Sequence, residues 1–213
     1  MEQISCRAGN GGTVAAYVAH GENESPIWHQ SRWDTGEYRE FIIKNGCGHC
    51  CAAMALCLHG VRIDPHAEFS LCRTLWGEPK EGEGNWQSVS GIVKILWHHG
   101  VSAACFGVAD RDSAAAHIDR ALRAGKEVIF WSHPSPAFQG NPFSKNEHYV
   151  MAIGYAEDGG ILIANSSEKA APSGVQTVDL DTIRRALFVG ADPIDATWGL
   201  LDLPHSGGYV IVG

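Results

Sequence analysis

The chain has 213 residues, 45% of them hydrophobic, which is enough to bury one full core. Its formal charge of −8 comes from 24 acidic and 16 basic residues with no run of lysine or arginine, and speaks against an electrostatic grip on nucleic acid or an anionic membrane. A small or peptidic partner fits this balance better.

The N-terminus lacks a basic segment leading into an apolar run, and no stretch nears the roughly 18 to 20 apolar residues that cross a bilayer. The chain as given therefore reads as cytoplasmic, without membrane insertion. Seven cysteines are present, and four of them crowd between Cys47 and Cys57, which suits reduced thiols better than a disulfide framework.

In chain order, residues 1–44 read as short strands and loops, ending in the polar, tryptophan-bearing stretch Trp28 to Asp34. From Gly48 the sequence is apolar nearly all round for about three turns and stops at His59-Gly60, which predicts a buried helix closed by a glycine. A second helix starts near Asp64-Pro65, since proline is tolerated in a first turn, and runs through Leu75. Trp86 to His99 carries apolar residues at helical spacing and ends on Gly100.

Val101 to Val108 and Val128 to Trp131 then read as strands flanking a helix that includes Ile118 and Leu122. His148 to Tyr155 and Ile161 to Ala164 form a predicted hairpin around Glu157-Asp158-Gly159-Gly160. A helix near Asp181 to Leu187 and a strand around Val210 close the chain. Helices first and an antiparallel sheet afterwards make an α+β domain. The expectation is one domain over 1–213, with a helical half at about 28–100 and a sheet half at about 101–213.

The most informative stretch is Asn45-Gly46-Cys47-Gly48-His49-Cys50-Cys51, which puts a thiol at a helix start. Unpaired N–H groups and the positive end of the helix dipole favour an anion there, so Cys47 is expected to ionise below the free thiol value of about 8.5. Two chemistries use such a thiol. Cys47-Gly48-His49-Cys50 spells CGHC, the tetrapeptide of protein disulfide isomerases, but no βαβ unit precedes it and no apolar-Thr-Pro pattern follows. Acyl transfer instead needs a proton shuttle elsewhere. His148, at the head of an apolar strand, is the candidate base, with His133 in reserve, and Asn165 follows one hairpin later. This order of Cys, His and Asn is that of papain-like peptidases.

Further residues carry a family likeness. Gln30-Ser31-Arg32-Trp33, Tyr38, Lys44-Asn45-Gly46-Cys47-Gly48 and Ala53-Met54-Ala55-Leu56, then Gly84-Asn85-Trp86, His99-Gly100-Val101, His148-Tyr149-Val150, Gly154, Asp158-Gly159 and Asn165 occur in one order. Jointly they resemble the bacteriocin-leader-peptidase-like (double-glycine-peptidase-like) bacterial branch of the papain-like cysteine peptidases, over roughly residues 28 to 167. The resemblance implies a papain-like fold, a peptide or protein substrate and no cofactor. It implies Cys47 as nucleophile, His148 as general base and acid, Asn165 as the group orienting the imidazole, and Gln30 as an oxyanion donor worth roughly 3 to 4 kcal/mol. The chain departs from the pattern in having His49-Cys50 where many members have Pro-Thr or Pro-Ala, and asparagine where many have aspartate.

Other readings stand beside this one: a thiol-disulfide oxidoreductase through CGHC, or a binding domain with a decayed site. A metal site is not expected, because structural zinc usually draws on two separated ligand pairs and no second C-x2-C or H-x3-H pair occurs. Cys50, Cys51 and Cys57 read as small core residues. Hairpin arithmetic gives one check. With Asp158-Gly159 as a two-residue turn, Asn165 falls opposite Ala152, on the face of His148 but four residues away. A single bulge at Gly154 would turn it to the wrong face.

Overall fold

The computed structural model describes residues 17–20, 23–28, 46–77, 88–135, 140–167, 174–189 and 208–213. Strands β1 (Tyr17–His20) and β2 (Asn23–Pro26) pair as a small antiparallel hairpin. Among the described residues, helices α1 (Cys47–Leu58), α2 (Pro65–Trp76) and α3 (Val89–His98) follow. Then come β3 (Ala103–Gly107), α4 (Arg111–Arg123), β4 (Glu127–Ser132), β5 (His148–Tyr155), β6 (Ile161–Ala164), β7 (Val175–Val178), α5 (Leu180–Ala186) and β8 (Gly208–Val212). The fold is α+β, as the order of patterns predicts.

Local chemistry accounts for the helix bounds. Every residue of α1 is buried, in keeping with a run that is apolar on all sides. Past its last turn, Gly60 at φ 84° lets Val61 donate back to the carbonyl of Leu56 at 2.9 Å, which closes the helix on a glycine. Asp64, Ser88, Asp110 and Asp179 each accept from a first-turn N–H of the helix they precede, and Pro65 occupies the first turn of α2. Such a cap stabilises a helix by about 1 kcal/mol.

Six strands form one antiparallel sheet in the order β3-β8-β4-β5-β6-β7. Alternation along β5 divides the core. Tyr149, Met151 and Ile153 face the cluster built with α1 and α3, while Val150 and Ala152 face the cluster built with α4 and α5. The sheet thus lies between two helical layers, with α1 packed directly on β5 and β2. Ser25 of β2 donates its hydroxyl to the carbonyl of Met54 at 2.8 Å, tying the small hairpin to the middle of α1. Strand β7 and the central seat of β8 lie outside what the sequence patterns predict.

The hairpin β5-β6 departs from the two-residue turn in two ways that cancel. Ala156 and Gly160 bond across the turn, so three residues form the loop rather than two. Further along, the register steps from Gly154 opposite Leu162 to Ala152 opposite Ile163, which makes Ile153 the extra residue of a bulge. Gly154 there has φ 140°, a conformation that side chains disfavour. Each change alone would flip the faces of β6. Together they restore parity, and the register carried one residue further sets Asn165 opposite Val150, two residues from His148 rather than four. Among the described residues no helix is long and apolar enough to cross a membrane.

Candidate active site

Cys47 is the first residue of α1 and only 8% exposed. Gly46 precedes it without a side-chain cap, and the first turn holds no acidic residue. Hydrogen bonding from the backbone N–H of Tyr149, on β5, favours the thiolate, as do the N–H groups of Gly48 and Cys47 itself. The sulfur thus lies against the residue that follows His148, although the helix and the strand belong to different layers.

Burial nevertheless dominates, and the thiol is held above its ordinary pKa rather than below it. This corrects the expectation drawn from the helix start. A helix terminus stabilises an anion by up to about 2 kcal/mol, whereas full burial moves an ionisable group by up to about 3 to 5 pK units against its charged form.

His148 opens β5 at 4% exposure. Its Nε2–H donates to Asn165 Oδ1 at 3.0 Å. Backbone groups fix the orientation of that amide. The N–H of Ser167 donates to Oδ1 at 2.8 Å, so this atom is the oxygen, and Nδ2 donates to the carbonyl of Phe143 at 2.9 Å. Gln176 Oε1 on β7 takes a second bond from Nδ2, at 2.6 Å. With Oδ1 an acceptor, the imidazole carries its proton on Nε2 and presents Nδ1 as a lone pair while neutral. Burial keeps it neutral, lowering its pKa to about 4 against a smaller upward pull from the bond to Asn165.

The backbone at His148 is also held. Ser132 of β4, which pairs with it, donates its hydroxyl to the His148 carbonyl at 2.7 Å. Asn141 Nδ2 donates to Ser132 Oγ at 3.0 Å and to the carbonyl of Asn146 at 2.6 Å. Its Oδ1 accepts from the N–H of Phe143 at 2.9 Å, and that residue's carbonyl holds Asn165. Asn141, Ser132 and Gln176 carry no motif in the sequence. Ser132 bonds His148, Gln176 bonds Asn165, and Asn141 acts on them through Ser132 and Phe143.

Of the four residues singled out from the sequence, the structure joins His148 to Asn165 directly and sets Cys47 beside Tyr149. Gln30 lies outside the described residues. His133 is engaged elsewhere: Nδ1 donates to the carbonyl of Pro134 at 2.8 Å and Nε2 faces Glu147 at 3.4 Å. Cys50, Cys51 and Cys57 are buried core thiols as expected, at 1%, 0% and 6% exposure.

A second polar cluster lies two residues beyond Cys47. His49 Nδ1 donates to Glu68 Oε2, and Cys72 donates its thiol to Glu68 Oε1 at 2.9 Å. One atom from each of these three residues could ligate a metal, and the three atoms lie within 4.8 Å of one another.

The sequence pattern of the Peptidase_C39-like family matches residues 23–187. Solved structures give weaker likenesses. A double glycine motif protease from an AMS/PCAT transporter, solved in complex with the leader peptide, is 13% identical over 78% of this chain and 82% of that one, with a TM-score of 0.42. Two variants of the Salmonella effector SpvD are 12% and 10% identical, over 78% and 79% of this chain and 70% and 68% of theirs, with TM-scores of 0.33 and 0.35. No curated protein matches the chain.

Proposed function

The chain belongs to the Peptidase_C39-like family of cysteine peptidases, and from that premise we propose that it hydrolyses peptide amides with Cys47 as nucleophile, His148 as proton shuttle and Asn165 as the group that orients His148. The observation that carries this reading is the bond from His148 Nε2 to Asn165, which directs the proton to that nitrogen and leaves the lone pair on Nδ1.

Burial raises the thiol pKa and lowers that of the imidazole, so the resting pair is neutral thiol and neutral imidazole. The reaction then runs as general base catalysis. Nδ1 takes the proton from Sγ as the sulfur attacks the carbonyl carbon, and the imidazolium returns it to the departing amine nitrogen as the C–N bond breaks. Water, deprotonated by the same Nδ1, releases the acyl group from sulfur. The oxygen that becomes negative meets the N–H of Cys47 at the start of α1 and, by the family resemblance, the side-chain amide of Gln30.

The test is single-turnover acylation of the intact chain by a panel of peptide thioesters and amides, with mass spectrometry of the adduct. Formation of a Cys47 acyl-enzyme that fails to form in Cys47→Ser and slows in His148→Ala supports the reading. An adduct on Cys50 or none at all, with the fold intact, overturns it. The oxidoreductase reading fits less well, because Cys50, at 1% exposure, is closed to a substrate disulfide.

A further inference from the structure

The acyl-transfer chemistry proposed for Cys47 leaves unused the cluster of His49, Glu68 and Cys72. His49 and Glu68 are completely buried and Cys72 is 1% exposed. Glu68 and Cys72 stand four residues apart on α2 and so share one face of it, while His49 reaches them from the first turn of α1. Phe69 packs edge-on against the His49 ring, with centroids 5.0 Å apart, so the polar atoms are walled by apolar surface.

We infer that His49 Nδ1, a carboxylate oxygen of Glu68 and Cys72 Sγ form a binding site for a divalent cation of the zinc type, which staples the nucleophile helix to α2. The three donor atoms lie within 4.8 Å of one another, and since tetrahedral ligands bonded at about 2.0 to 2.3 Å stand roughly 3.3 to 3.8 Å apart, a small inward shift of the side chains brings all three onto one ion. Nitrogen, oxygen and sulfur together suit zinc and its neighbours. Calcium and magnesium take oxygen and do not seek a thiol.

Energetics point the same way. A carboxylate withdrawn wholly from water is costly to bury, and a dication facing it supplies the compensating charge. The Cys72 thiol directs its proton to Glu68 Oε1. The ion takes the place of two protons: that of Cys72 leaves for solvent as the thiol becomes a metal thiolate, and His49 gives up the proton on Nδ1 and keeps one on Nε2, so each ion bound releases at least one proton. With two of the ligand residues wholly buried and the third 1% exposed, the ion enters as the chain folds and exchanges slowly thereafter. The sequence signal is E-x3-C on one helix with a histidine on another, which a search for paired C-x2-C and H-x3-H spacings passes over.

The full chain is unfolded, treated with chelator, and refolded with one equivalent of cobalt(II) or zinc(II). Expected are one retained ion per chain after gel filtration and a thiolate-to-cobalt charge-transfer band. Cys72→Ser should abolish the band, and His49→Gln and Glu68→Gln should each weaken zinc binding by at least about tenfold. Cys47→Ser and His148→Ala should keep both the band and the stoichiometry.

Less than a tenth of an equivalent retained by the wild type overturns the site. So does a band that survives Cys72→Ser and disappears in Cys47→Ser, which places the ion on the thiol proposed for catalysis. The count of retained ions and the band of the wild type need no variant, so they decide the matter even where a substituted chain fails to fold. None of these readouts depends on peptidase activity.

Discussion

Two buried polar clusters flank the first turn of α1, and they are built differently. Around His148 the bonds run largely to backbone groups: Phe143 and Ser167 fix Asn165, and Ser132 fixes the carbonyl of His148 itself. Around Glu68 the bonds to His49 and Cys72 run from side chain to side chain. A cluster pinned by backbone holds one reactive atom in a set direction. A cluster joined side chain to side chain depends on each of those members being present.

The sharpest break of this comparison is at the reaction itself. Cys47→Ala is expected to lower peptide hydrolysis by at least about a thousandfold, and His148→Ala by about a hundredfold to ten-thousandfold, in steady-state assays at pH 7. Glu68→Leu, in contrast, removes the buried acceptor that His49 Nδ1 and the Cys72 thiol share. It should cost about 3 to 5 kcal/mol in urea unfolding, with kcat nearly unchanged in the fraction that remains folded. A loss of kcat in the folded fraction as large as that of His148→Ala would merge the two clusters into one functional unit.

Acid separates them further. The fold keeps His148 unprotonated down to about pH 4, whereas the unfolded chain takes up a proton near pH 6.5. The unfolded state therefore binds more protons between these values, and stability is lost as pH falls from 6.5 towards 4, by about 3 kcal/mol for this group. Subtracting the pH profile of His148→Ala from that of the wild type isolates the effect. A flat difference would mean that the imidazole reaches water.

Smaller effects grade the backbone-pinned cluster from within. Gln176→Ala leaves Asn165 Nδ2 its bond to Phe143, and kcat should fall by less than about tenfold; Asn165→Ala removes the whole support and should cost about 1 to 3 kcal/mol of stability as well as activity. Gly154→Ala puts a side chain at φ 140° in the bulge and should cost about 1 to 2 kcal/mol, read as a lower urea midpoint.

Much of this layout is legible in the sequence because it is local. The all-apolar run after Gly48, the Asp64-Pro65 start and the glycine after His59 set α1 and α2 without reference to the rest of the chain. The His148 and Asn165 pairing is legible as parity, since both residues flank one hairpin. Its closeness is not, because a three-residue loop and a bulge at Ile153 are choices of backbone that Glu157-Asp158-Gly159-Gly160 does not dictate. Gln176 and Asn141 come from segments that meet the pair only in three dimensions. The state of Cys47 is misread from sequence for a different reason: a helix start is visible in a string of letters, but the depth to which it is buried is not.

The seat of β8 bears on how the molecule comes together. This strand, residues 208–212, lies between β3 and β4, which do not pair with each other. Until it arrives, the sheet exists as two pieces with open edges, and β3 has no strand to hold. The loop that must close to bring β8 beside β3 runs to about a hundred residues, a non-local step of the kind that slows folding. Such edges attract other chains while they wait. During synthesis on the ribosome, helix α1 and strand β5 thus emerge well before the strand that knits the sheet together, and a nascent chain halted short of Gly208 is expected to be bound by chaperones more readily than the finished chain.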